Sequence, residues 1–430
     1  MTMSRTHKPL FVLKQHSSAI STCAIHDQGV FVNFMLSGDV DGIVKLWDLE
    51  LRQVLLSFPA ASIASQEFRT EEEVPSTPGL KNEGVLQVGF LSFADQSDSA
   101  EKELYLFFYT QCRNQQLYIW KVRLIDLYVS SEEAYSLCPS EARVDLVNTI
   151  SIPQHGFCTV ACICLSSTET QLAIPHDSNG IVSLWNVHTV CNASGACENL
   201  QVYCSHSFSS AGTMIKCGTI MMISYRDASF MVVAFESGHV SLVTTYGRQL
   251  GVIRTFAETT LSCLWSGNTL FASSAEGRLQ CYSVLGDVEI NDSHLVCDDC
   301  PSLACALLWE TTLPKGLGCM AVQGNLIVVG SWDHTLRLFD FSGRVISIFT
   351  THSGAVNQIS MVPSKVSSYA SFGYDVRRPR WCDAVTSRAS GNCGGSGSIG
   401  GHVYLFASAS GDYTVALWRV DFKALTASAN

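Results

Sequence analysis

A short pattern returns from one end of this chain to the other, and it limits what the chain can become. Small residues lead into a turn bearing Asp, and the turn leads into an alternating strand that closes on a large aromatic. Ser37-Gly38-Asp39-Val40-Asp41-Gly42-Ile43-Val44-Lys45-Leu46-Trp47 is one copy. Gly330-Ser331-Trp332-Asp333-His334-Thr335-Leu336-Arg337-Leu338-Phe339 is another, and Ser408-Ala409-Ser410-Gly411-Asp412-Tyr413-Thr414-Val415-Ala416-Leu417-Trp418 is a third. Polar and apolar residues alternate with period two in Val44-Lys45-Leu46-Trp47 and through Thr335–Phe339, the period of a half-buried strand. Runs such as Leu326-Ile327-Val328-Val329 are apolar throughout, as a strand packed on both faces requires. A unit this small cannot bury its own apolar surface, so copies must stack on one another.

Alignment on the closing residue gives seven copies, ending near Trp47, Trp120, Trp185, Val243, Tyr282, Phe339 and Trp418. Asn179-Gly180-Ile181-Val182-Ser183-Leu184-Trp185 is a clear copy, and Ala275-Glu276-Gly277-Arg278-Leu279-Gln280-Cys281-Tyr282 a recognisable one. The second (Leu117-Tyr118-Ile119-Trp120) and fourth (Glu236–Val243) are degenerate, which leaves the count open by one. The pattern is that of a WD repeat. It predicts an all-β fold: a seven-bladed WD-repeat β-propeller with long loop insertions, occupying residues 1–430 as one domain. Residues 9–15, Pro9 to Gln15, precede the first His and are read as the strand that completes the last blade, joining the two ends of the ring. Seven repeats of ~40–45 residues need roughly 300 residues. The excess is assigned to insertions at 60–84, 130–147, 188–212 and 363–402. The first, with Glu71-Glu72-Glu73, and the last, with Asn392-Cys393-Gly394-Gly395-Ser396-Gly397-Ser398, read as flexible.

Two copies carry the residue types of a buried polar network, in which a carboxylate needs donors and His and Ser supply them. The sets are His16, Ser37, Asp41, Trp47 and His352, Ser408, Asp412, Trp418. The sixth copy keeps Asp333 but has no matching His upstream. A His-Ser-Asp set also invites a catalytic reading, but its recurrence at repeat spacing favours a structural one. No catalytic residue, cofactor or resident metal is assigned, and the chain reads as non-enzymatic. Phosphate loop, nucleophile elbow and HExxH motifs are absent.

A formal net charge of −11 with 15% charged residues argues against direct nucleic-acid binding. The one basic cluster is Arg377-Arg378-Pro379-Arg380 with Lys365 and Arg388, inside the last insertion, where it is either a solvated segment or a docking segment controlled by phosphorylation. The 18 cysteines are scattered, many in apolar runs (Cys23, Cys162, Cys164, Cys263, Cys281, Cys319), which suits free thiols in a reducing compartment. His294, Cys297, Cys300 and Cys305 have partial zinc-site spacing, but no second CxxC follows. The first residues lack the apolar core of a signal peptide, and no run approaches the ~18 apolar residues of a membrane span. Cytoplasmic and nuclear localisation is expected, and the two Asn-x-Ser sites at Asn192 and Asn291 then carry no meaning.

Phe11-Val12-Leu13 with His16-Ser17-Ser18-Ala19-Ile20, the Trp332-Asp333-His334 copy, and Thr351-His352-Ser353-Gly354-Ala355-Val356 leading to the final strand resemble the ASTRA-associated protein 1 family, whose animal members are called guanine nucleotide-binding protein β-subunit-like protein 1. Phe235–Val243 is similar to a further blade of that family but ends without its Trp. The resemblance covers about a third of the chain, and residues 50–230 depart from it. It implies a scaffold that works with a cochaperone assembly in maturing phosphatidylinositol-3-kinase-related kinases, with links to ASTRA-type chromatin complexes. Its partners would then be proteins, and the chain a monomer within a larger complex.

Three other readings compete, one of them an enzyme built on the propeller, which no unexplained cluster of titratable residues supports. A heterotrimeric G-protein β-subunit would have a long helix ahead of its propeller, where this chain has the closing strand. A substrate receptor of a cullin ubiquitin ligase often shows Trp-Asp-x-Arg at a blade end; Trp120-Lys121-Val122-Arg123 keeps the ends of that motif and replaces its Asp. For protein docking, the residues beside the turn Asp are the candidates: Asp39 and Val40, Trp332 and His334, and Tyr413. Trp332 either packs on a neighbouring blade or stands exposed as an anchor.

Overall fold

Each copy of the pattern folds into a four-stranded antiparallel sheet, and seven such sheets make up the computed structural model. Residues 8–26, 34–49, 51–61, 84–91, 105–123, 127, 144–152, 157–176, 180–191, 197–211, 217–285, 304–362 and 403–421 are described by the structure. Blades one to six take their four strands consecutively from the chain. The first strands of the blades pack beside one another around the ring axis, so the first strand is inner and the fourth outer. The degenerate second and fourth copies form complete sheets, so the count is seven. Val243, which stands where other blades carry an aromatic, is fully buried in the cluster between blades three and four.

Seven apolar clusters lie between the blades, one at each junction. Period-two alternation explains them: along the third strand of blade one, Val44 and Leu46 face blade two, while Trp47 faces blade seven. The core is thereby distributed around the ring, which lets a long chain escape the size limit of a single compact core.

Blade seven draws its inner three strands from Val356–Val362, Val403–Ser410 and Val415–Asp421. Its outer strand is Phe11–Leu13, antiparallel to the third, with Phe11 opposite Leu417 and Leu13 opposite Val415. The strand is shorter than residues 9–15 because Pro9 cannot donate to the ladder; Leu10 N–H, bonded to Leu417 O at 2.7 Å, is the last rung.

The predicted insertion at 188–212 is corrected by the structure. Most of it is a β-hairpin, Ile181–Cys191 paired with Cys197–Ser209, which lengthens blade three. Residues 144–147 likewise belong to the outer strand of blade two, Asp145–Ser151. Residues 62–83 and 363–402, with Lys365, Arg377, Arg378, Arg380 and Arg388, lie outside the described residues, as do His294, Cys297 and Cys300. Cys305 sits half-buried on the outer strand of blade five, its thiol pKa raised by burial. Among the described residues no group of three or more His, Cys, Asp or Glu is arranged to hold a metal, and no helix is long and apolar enough to cross a membrane.

Candidate functional site

The turn between second and third strands has one design in every blade, and it presents the candidate docking residues. Its last residue takes a left-handed backbone: Gly42, Gln115, Gly180, Gly238, Gly277, His334 and Tyr413. These turns share one end of the ring with the residues leading into each inner strand. Val40 N–H bonds Ala19 O at 3.0 Å, Trp332 N–H bonds Gly316 O at 2.9 Å, and Gly411 N–H bonds Ala355 O at 2.9 Å. Val362 and Val403, the ends of the first two strands of blade seven away from the turn, lie at the opposite end of the ring.

Behind the turns lie the polar networks. In blade seven, Trp418 Nε1–H donates to Ser408 Oγ at 2.8 Å, Ser408 Oγ lies 2.8 Å from His352 Nε2, and His352 Nδ1 lies 3.0 Å from Asp412 Oδ2. Burial lowers the His352 pKa, although Asp412 pulls the other way. The neutral ring can then donate from Nδ1 to Asp412 and accept from Ser408 at Nε2. Thr414 and the Ser353 N–H also donate to Asp412.

Blade one repeats the arrangement with one correction. The carboxylate is Asp39, not Asp41: His16 Nδ1 lies 2.7 Å from Asp39 Oδ2, His16 Nε2 lies 2.7 Å from Ser37 Oγ, and Trp47 Nε1–H donates to Ser37 at 2.7 Å. Asp39 is 1% exposed, so it is not a rim residue, while Asp41 faces solvent. Strand parity is the reason. Residues 37 and 39 are two apart on one strand and point to the same face, toward His16. Asp41 lies in the turn and can be replaced there, because Asp39 Oδ1 already accepts the Asp41 and Ile43 N–H groups. Blades six and seven have Ser331 and Ser410 at the corresponding position, and each hydroxyl accepts the N–H of the turn Asp at 3.2 Å.

Blade six lacks the His, and Arg337 takes part of its role. Its Nη2 lies 2.6 Å from Asp333 Oδ2, and the Thr335 hydroxyl donates to Oδ1 at 2.6 Å. Burial alone would raise the Asp333 pKa, but Arg337, Thr335 and Ser331 outweigh it and hold it at about 2. Arg337 Nη1 is buried without a partner among the described residues.

None of these sets can act as a hydrolytic triad as placed. Ser37 and Ser408 are fully buried at blade junctions, so their hydroxyls meet no substrate. The network of blade one faces blade seven, and that of blade seven faces blade six. The blade that closes the ring is thus held from both sides. Cross-junction bonds add to this: Ile25 N–H to Ser360 Oγ at 3.0 Å, and Asn357 Nδ2–H to Ile20 O at 2.7 Å.

The exposed rim is made by Val40, Trp332, His334 and Tyr413. Trp332 is 42% exposed and Tyr413 50% exposed, in adjacent blades. Trp332 lies across Gly316 and Gly318, at the start of the inner strand of its own blade. A Cβ added at Gly318 would come within 2.8 Å of its Nε1, and one at Gly316 would collide with the ring. The indole is therefore supported from below and open above. Sequence reasoning missed Phe157, exposed on the same face before the inner strand of blade three, with Arg113 5.9 Å from its ring. Its position ahead of Cys158 in an apolar run disguised it as core.

Most of blade one and part of blade six, residues 7–48 and 315–340, are matched by the family model described as "WD domain, G-beta repeat". No curated protein matches the sequence. Among solved structures, 1235 chains match, which marks the architecture as widespread and leaves function open. One is the crystal structure of Chaetomium thermophilum Raptor, with a TM-score of 0.57 and 11% identity, covering 97% of this chain. The present chain spans 29% of that protein's length. At such identity the likeness concerns the fold. The chain is a seven-bladed β-propeller with WD repeats.

Proposed function

We propose that this propeller is a non-enzymatic scaffold that docks a protein partner on the face bearing Trp332, His334 and Tyr413. One observation carries the reading: side chains are kept where four other blades use glycine. His334 and Tyr413 have φ of 72° and 68°. A non-glycine residue held there costs on the order of 1 kcal/mol. Both are exposed, so the strain is not offset by core packing. With the half-exposed Trp332 two residues ahead of His334, they supply the aromatic anchors typical of protein interfaces.

The resemblance of the Trp332-Asp333-His334 copy to the ASTRA-associated protein 1 family names the partner class: a cochaperone assembly that matures phosphatidylinositol-3-kinase-related kinases, or an ASTRA-type chromatin complex. The protein would then work in cytoplasm and nucleus as one subunit of a larger assembly. Affinity purification with mass spectrometry tests this. Recovery of kinase-maturation cochaperones is expected; recovery of cullin adaptors would replace the reading with a ubiquitin-ligase receptor. A Trp332→Ala/Tyr413→Ala variant should melt like the parent and lose partner recovery, since each anchor is worth ~2 kcal/mol or more. Full recovery by the folded variant would place the interface elsewhere.

A further inference from the structure

Phe157 is 68% exposed, more than Trp332 or Tyr413 on the same face. A scattered exposed apolar residue needs no explanation, but the backbone beside this one is pinned. The buried amide of Gln111, on the second strand of blade two, donates from Nε2 to Cys158 O at 2.9 Å. Its Oε1 accepts the Val160 N–H, also at 2.9 Å. Cys158 and Val160 are themselves buried. The chain just after Phe157 is thus tied to blade two, while the ring stands outside the core.

Arg113 lies next to that ring, its guanidinium carbon 5.9 Å from the ring centre, within reach of a cation–π contact. The Arg113 N–H donates to Gly84 O at 2.8 Å, the bond that the Trp332 N–H makes to Gly316 O in blade six. Arg113 therefore holds in blade two the place that Trp332 holds in blade six. A Cβ added at Gly84 would come within 2.6 Å of Val40 O and 3.3 Å of Arg113 Cδ, so glycine lets the blade-one turn and the arginine stem approach. The turn of blade two ends on Gln115, with φ of 64°, the third such turn after those of His334 and Tyr413 to keep a side chain at a left-handed position. Among the described residues Arg113 has no carboxylate partner.

We infer that Arg113 and Phe157 form a second anchor of the docking face, which seats an Asp or Glu carboxylate of the protein partner on the guanidinium and an apolar group against the Phe157 ring. The inference rests on the docking reading above and adds the chemistry of the docked segment. Charge selects the occupant. A guanidinium with no internal carboxylate keeps its N–H fork for an outside acceptor, and a carboxylate matches that fork with two parallel bonds. A nucleic acid or another polyanion is held by several cations together. Among the described residues, the turns and the segments entering the inner strands of blades one to three expose two cations, Lys14 and Arg113, and one carboxylate, Asp41. That single net positive charge suits one carboxylate.

A phage-displayed library of random peptides, panned on the full chain, tests the inference. Peptides enriched on the parent should carry Asp or Glu beside apolar residues. The strongest of them is then measured by fluorescence polarisation. Arg113→Glu should melt like the parent, because the side chain is exposed, and should weaken that peptide about tenfold or more. Exchanging the peptide's acidic residue for Lys should restore binding to Arg113→Glu and abolish it on the parent. Phe157→Ser should weaken the original peptide as well. Failure to enrich any peptide, enrichment without an acidic preference, or a charge exchange that does not restore binding would each overturn the inference. The docking reading is judged apart from it, by partner recovery from cells with Trp332→Ala/Tyr413→Ala. Loss of partners there, with a peptide indifferent to Arg113→Glu, keeps the rim as the interface and removes the carboxylate seat.

Discussion

At the scale of single residues, two aspartates two positions apart, Asp39 and Asp41, make the sharpest case. Ser37 is followed two residues later by Asp39 and four later by Asp41, and the copy in blade seven has its Asp four residues after Ser408. Alignment therefore pointed to Asp41. Which carboxylate reaches the imidazole depends on strand parity and on where the turn begins, neither of which the letters specify. Asp39→Ala should cost about 1–3 kcal/mol in urea unfolding, since His16 and the turn amides lose a buried acceptor. Asp41→Ala should stay within about 0.5 kcal/mol. Asp333 offers a pH test. Its folded pKa, about 2, lies below the ordinary value of 3.8. A lowered carboxylate pKa contributes stability fully above the unfolded value and loses it as pH falls from about 4 through about 2. Arg337→Met should therefore be destabilised at neutral pH. Its deficit against the parent should shrink over that acid window, as followed by urea unfolding at stepped pH.

At the scale of elements, the closing strand was legible and the long hairpin was not. Pro9, the Phe11-Val12-Leu13 run and the incomplete last blade together pointed to strand exchange between the ends of the ring. Deleting residues 1–15 should destabilise the ring by several kcal/mol or about that order, seen as a sharply lower melting temperature. It removes a ladder and the packing of Leu13 in the cluster between blades seven and one. A deletion variant with unchanged melting would mean that the ring holds without this strand. The hairpin of blade three hid behind composition. Asn192-Ala193-Ser194-Gly195 and the many serines read as loop, yet Leu200, Val202, His206 and Phe208 carry a period-two alternation broken once, at the Ser205 bulge. The four keep one parity across the bulge, but the exposed Cys204 between them leaves runs too short to register as a strand. Blade four failed for another reason: Val243 is the right shape for its site and the wrong letter for the motif.

At the scale of the whole molecule, the order of the chain and the order of the ring disagree at one place. Phe11–Leu13 pairs with Val415–Leu417. During synthesis the earlier partner must therefore wait while some 400 further residues are added, roughly 20–80 s at ordinary elongation rates. Six blades can assemble from neighbouring strands as they emerge, but the seventh needs both extremities at once. Its contacts are the most distant in sequence, so loop closure is paid there last and most dearly. Until that moment the nascent protein is an open arc with an apolar blade face at each end. A ribosome stalled anywhere before the final blade would hold a molecule that looks nearly finished and is a client for chaperones.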